Sequence, residues 1–83
     1  MAKISARNCT EVARVNFETP SRQGGVHTGI LVLRSDGRVL RRYTGDLSTG
    51  YVILGKVKAG VPLDGGVLRR YAAARNLTIT KEG

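Results

Sequence analysis

Two arginine pairs, Arg41-Arg42 and Arg69-Arg70, are the residues of this chain best suited to chemistry, and each sits inside the same pattern, DGxVLRRY. The copies run from Asp36 to Tyr43 and from Asp64 to Tyr71, seven identities at an offset of 28 residues, which fits either a duplication or chance in an Arg-, Val- and Leu-rich chain. A guanidinium offers a planar fork of donors that matches phosphate oxygens or a guanine edge, so paired arginines point to recognition of an anion, not to bond breaking. Arg34, Arg38, Lys56 and Lys58 add to Arg41, Arg42, Arg69 and Arg70, giving eight candidate nucleic-acid-binding residues.

Catalytic combinations are poorly represented. His27 and Cys9 are the only residues of their types and lie 18 positions apart, with no Asp or Asn placed to orient a dyad. The expected roles are a strand histidine and a small buried cysteine. Asp36, Asp46 and Asp64 fall in turn or cap contexts, where a carboxylate accepts backbone hydrogen bonds. Glu11 and Glu18 are seven apart on a strand-like stretch, which would put them on opposite faces. Eleven glycines form no Walker A or dinucleotide fingerprint, and Asp64 would compete with any phosphate for the amides of a helix that it caps. The reading is a non-enzymatic protein with no cofactor and no metal.

The charge balance agrees with an anionic partner. Fourteen Lys and Arg face six Asp and Glu, for a net charge of +8. The excess is distributed: residues 1–25 carry +4 and −2, residues 26–60 carry +6 and −2, and residues 61–83 carry +4 and −2. A basic tail is therefore not its source. One cysteine cannot close an internal disulfide, no apolar run is long enough to span a membrane, and the first residues lack the apolar core of a signal peptide. These features lead us to expect a cytoplasmic protein with no membrane partner.

The elements that must position the arginines can be read from periodicity. Eighty-three residues suit a single domain, with residues 1–8 as a frayed end. Ala13, Val15 and Phe17 alternate with polar residues, which predicts a half-buried strand over 10–18. Thr19 to Gly25 is then a connecting loop. Ile30-Leu31-Val32-Leu33 predicts a buried strand within 26–34, and Asp36-Gly37 turns the chain into a returning strand over 38–44. Two hairpin registers are open. A two-residue turn sets Leu33 against Leu40, Leu31 against Arg42, Val32 against Arg41 and Ile30 against Tyr43; a three-residue turn with Gly37 as a bulge sets Leu33 against Val39 and Arg34 against Arg38. The first avoids opposing like charges and is the expected one. In both, Arg41 and Arg42 point to opposite faces.

Thr44 to Gly50 reads as a second connection. Tyr51-Val52-Ile53-Leu54 predicts a strand over 51–58, buried at its start and exposed at its end. In the last third the period changes: Val67, Leu68, Tyr71, Ala72 and Arg75 share a helical face, and three consecutive alanines follow Tyr71. A helix over 66–76 is expected, capped by Asp64 and stopped at Asn76, with a short fifth strand over 77–80. The predicted fold is α+β: an antiparallel sheet of about four strands against one C-terminal helix, with a small all-β barrel as the alternative.

From this architecture the expected function is a nucleic-acid-binding module contacting phosphates of DNA or RNA through the Arg-rich hairpin and the helix. A protein-interaction module, a regulator or inhibitor docking its basic face on an acidic protein, is the alternative. A thin aliphatic core with one helix also leads us to expect a homodimer, in which a second copy covers whichever of Ile30 and Val32 or Leu31 and Leu33 the helix leaves bare.

Overall fold

The computed structural model describes residues 10–45 and 50–82. It is an α+β fold, with strands β1 (Glu11–Pro20), β2 (Val26–Arg34), β3 (Arg38–Thr44), β4 (Val52–Lys56) and β5 (Thr78–Glu82), and one helix, α1 (Gly65–Ala74), between β4 and β5. The five strands form one antiparallel sheet in the order β4-β3-β2-β1-β5. A continuous ten-residue helix excludes the all-β barrel. The predicted fifth strand is present at the sheet edge beside β1. The expected frayed segment and Cys9 lie outside the described residues, as do Asp46 to Thr49 of the second connection.

Alternation on the strands separates two faces. Val15, Phe17, Leu31, Leu33 and Val39 lie on one, and Val67, Leu68 and Ala72 of α1 complete the core there. Leu31, Leu33, Val39 and Leu68 are fully buried, each side chain contributing about 1.5–3 kcal/mol through removal from water. Ile30, Val32 and Leu40 form a smaller cluster on the opposite face. Only 7% and 2% of Ile30 and Val32 remain exposed, so the apolar surface on which self-association was expected is mostly closed already.

The hairpin adopts the register with the bulge, not the expected two-residue turn. Leu33 pairs with Val39, Val32 with Leu40, Leu31 with Arg41 and Ile30 with Arg42. Gly37 takes φ +91°, its amide donates to the Arg34 carbonyl at 2.9 Å, and an Asp36 carboxylate oxygen accepts from the Arg38 amide. The like charges of Arg34 and Arg38 do not exclude this register, because Asp36 pairs with the Arg38 guanidinium at 3.1 Å. It sets Val39 beside Leu31 and Leu33 on the helix side, and Leu40 with Ile30 and Val32 on the other.

Two further expectations need correction. The start of β4 is exposed, not buried: Tyr51, Val52 and Ile53 retain 46%, 45% and 58% of their accessible surface. The strand is a sheet edge, and α1 packs mainly on β1, β2 and β5, reaching β4 through Tyr71 beside Gly55. Glu11 and Glu18 share a face, because a bulge between Glu11 and Ala13 shifts the alternation. They still form no pair: roughly 20 Å of strand separates them, and Glu11 is engaged by Arg14.

The helix is bounded by the residues its sequence marks, although it runs over 65–74 and not 66–76. Asp64 caps it by accepting from the Gly66 amide at 2.9 Å, and Asn76, at φ +58°, turns the chain out of it. Its C-terminal residue is Ala74, with Arg75 as the cap. Arg75 is exposed, not part of the buried stripe, and its guanidinium lies over the Tyr71 ring.

Gly29 is the most crowded of the sheet's glycines. It pairs with Phe17 on one side and Tyr43 on the other, and those two rings meet edge to face at 5.9 Å. A Cβ at this position would come within 2.5 Å of Phe17 Cζ and 2.6 Å of the Arg42 carbonyl oxygen. Gly29→Ala should therefore destabilise the fold by about 1–3 kcal/mol, because the backbone oxygen cannot rotate away. Chemical denaturation of the two proteins measures it, and equal midpoints would refute the contact.

Candidate nucleic-acid interface

The face of the sheet opposite α1 is where half of the eight candidate cations converge. Among the described elements none packs against it. By register, Arg14 on β1 lies across from Val32, Arg42 on β3 across from Ile30, and Arg38 on β3 across from Lys56 on β4. Arg34 follows Ile30 and Val32 on the same side of β2, and Lys81 on β5 lies across from Asn16 of β1. Six cations thus ring the apolar cluster of Ile30, Val32 and Leu40, to which β4 adds the exposed Ile53. Tyr51 stands over this surface, with the Arg42 guanidinium 5.6 Å from its ring centroid.

Not every cation is equally available. Arg14 makes a bidentate pair with Glu11, at 2.9 and 2.8 Å, and Arg38 pairs with Asp36. The Arg14 hydrogen bonds, together with the nearby positive charges of Arg14 and Arg34, hold the Glu11 carboxyl below its ordinary value. Both ion pairs are partly exposed, so either arginine can exchange its carboxylate for a phosphate at modest cost.

The remaining four candidates are elsewhere. Arg41 points to the helix side, as neighbours on a strand must, and its guanidinium lies 4.7 Å from the Tyr43 ring centroid. Its Nε is buried with no hydrogen-bond partner among the described residues. Arg69 forks onto Glu82 of β5 with two bonds of 3.0 Å, tying the helix to the sheet edge. Lys58 and Arg70 line a depression between α1 and the segment after β4, over Val57, Val61 and Tyr71. His27 lies in β2 with its ring edge to face against Tyr43, a strand histidine as expected.

The sheet face therefore unites Arg34, Arg38, Arg42 and Lys56, and separates them from Arg41, Lys58, Arg69 and Arg70. The first DGxVLRRY copy is extended and the second helical, as their flanking residues predict. Three contributors escaped the sequence reading. Tyr51 had been placed at the buried start of a strand, Arg14 was one polar residue in an alternation, and Lys81 fell beyond the predicted end of the fifth strand. No local signal marks them, since each depends on which face α1 covers.

The cations, a tyrosine and aliphatic side chains on one surface can bind a polyanion by charge and a flat ring by stacking. Among the described residues no three His, Cys, Asp or Glu side chains gather as a metal site. Nor does any helix of the described residues have the length and apolarity to cross a membrane. Comparison of the chain with protein-family models, with curated proteins and with solved structures found no match.

The Arg69–Glu82 pair makes a pH-dependent prediction. Hydrogen bonds from Arg69 hold the Glu82 carboxyl below its ordinary value of 4.5 and raise the arginine above its own. A carboxyl lowered by folding stabilises the native state above its unfolded pKa, and that contribution is lost as pH falls through the folded value. Glu82→Gln should thus melt slightly below the wild type at neutral pH, and the gap should close on acidification below 4.5. Thermal melts over this range test it; a gap that stays constant would show that the pair contributes nothing.

Proposed function

We propose that this chain is a non-enzymatic nucleic-acid-binding module whose contact surface is the open face of the sheet. The observation that carries the reading is the convergence there of Arg34, Arg38, Arg42 and Lys56 around Tyr51, on the face that the helix leaves uncovered. Arg42 and Tyr51 already stack, so the ring is held beside a cation where a base and its phosphate can be met together. The helix arginines that the second sequence copy supplies are not on this surface.

The protein-interaction alternative finds support in β4. It is an edge strand with Val52 and Ile53 exposed, a place where an extended segment of an acidic protein can add a strand. The two readings separate in one titration. Binding to DNA or RNA at low salt supports the first, and its absence leaves the second.

Four phosphate contacts give a log K against log salt slope of roughly −3 to −4. Arg38→Ala with Arg42→Ala should weaken binding to unrelated sequences about equally and flatten that slope by roughly half. Arg69→Ala should leave affinity nearly intact, because Arg69 is paired with Glu82 away from the face. Arg41→Ala should do the same while lowering the melting temperature, since its stem and ring contact are packed on the helix side. Fluorescence anisotropy over a salt series supplies both numbers. If the Arg38 and Arg42 changes leave affinity and slope unaltered in a folded protein, the sheet face is not the interface.

A further inference from the structure

Resting on the reading of the sheet face as a nucleic-acid surface, we propose that the ligand is single-stranded and that its backbone passes from that face around the β4 edge into the depression holding Lys58 and Arg70. Lys56 is the junction. It lies across from Arg38 on the open face, and it also lines both the depression beside α1 and the adjoining one under the Asp36-Gly37 turn.

Positive charge is therefore continuous from Arg42 and Arg38, over Lys56, to Lys58 and Arg70. Among the described residues the Lys58 and Arg70 side chains have no hydrogen-bond or ion-pair partner, unlike that of their neighbour Arg69. Asp36, the carboxylate lining the adjoining depression, is paired with Arg38. A polyanion following this path meets cations throughout.

The curvature of that path selects the ligand. A sheet with its covering layer turns a corner over about 10 Å, whereas duplex DNA stays straight over about 50 nm. Only a strand with freely rotating backbone bonds can touch both surfaces at once. Tyr51 adds a second selection, because an exposed ring can stack only on a base whose face is not already covered by its neighbours in a duplex. Ile53 beside it, 58% exposed, offers further apolar area to an unstacked base.

The experiment compares mixed-sequence single strands of about 5 and about 12 nucleotides with a duplex of about 12 base pairs, spans chosen within the usual site sizes of single-strand binders. Wild-type protein should bind the longer strand more tightly than the shorter one or the duplex. Lys58→Ala with Arg70→Ala should bring the longer strand to the affinity of the shorter and reduce its salt slope by about 1.4, while leaving the shorter strand unaffected. Tyr51→Ala should weaken both single strands by about 5- to 150-fold, with Tyr51→Phe close to wild type.

Equal binding of duplex and single strand, or an unchanged slope in the Lys58 and Arg70 variant, would overturn the proposed path. Both results would leave the sheet face standing as a nucleic-acid surface. If the wild type binds none of the three, the reading of the face itself fails, and the path with it.

Discussion

One-sided burial governs this protein. A five-stranded sheet has two faces and the described residues supply one helix of ten residues, so Val67, Leu68 and Ala72 can seal Val15, Phe17, Leu31, Leu33 and Val39 on one side only. There α1 packs mainly on β1, β2 and β5, and its Tyr71 side chain carries the cover toward β4. Tyr71 leans far enough over β4 that a Cβ on Gly55 would meet its hydroxyl at 2.6 Å. The helix is thus extended sideways by an aromatic arm, and glycine in the strand is the space that arm occupies.

What the helix does not cover becomes the charged face. Cations on a sheet cannot be buried without partners, so strands with one apolar and one basic side must turn the basic side to water. The small cluster of Ile30, Val32 and Leu40 survives there because long side chains surround it: Arg14 across from Val32, Asn16 and Arg42 across from Ile30. The same arrangement brings Arg34, Arg38, Arg42 and Lys56 within reach of one ligand. Structure and surface chemistry are two consequences of the same shortage of covering elements.

Much of the fold was legible locally. Alternation at Ala13, Val15 and Phe17, the apolar run at Ile30 to Leu33, the Asp36-Gly37 turn, the Asp64 cap and the Asn76 stop each correspond to an element or boundary. Where the reading failed, the deciding term was distant in sequence. The hairpin register put Val39, not Leu40, into the core that α1 completes, a choice between two apolar residues that the turn sequence does not mark. The exposure of Tyr51 to Ile53 followed from their place at a sheet edge, which an apolar run does not encode. The bulge after Glu11 moved one carboxylate to the other face, a change invisible to a strict period of two.

By itself the sequence determined the number of elements and their order, the opposed directions of Arg41 and Arg42, and an excess of +8 carried within the domain. These depend on near neighbours: alternation along a strand, propensity along a helix, and side-chain charge. Only the tertiary structure decided which cations share a surface. Arg42 joined Arg34, Arg38 and Lys56 while Arg41 was stacked on Tyr43 beneath the opposite face, and Arg69 was taken up by Glu82. The physical reason is that a helix can bury only one side of a sheet, and which side it chooses is set by the summed apolar area of strands far apart in the chain.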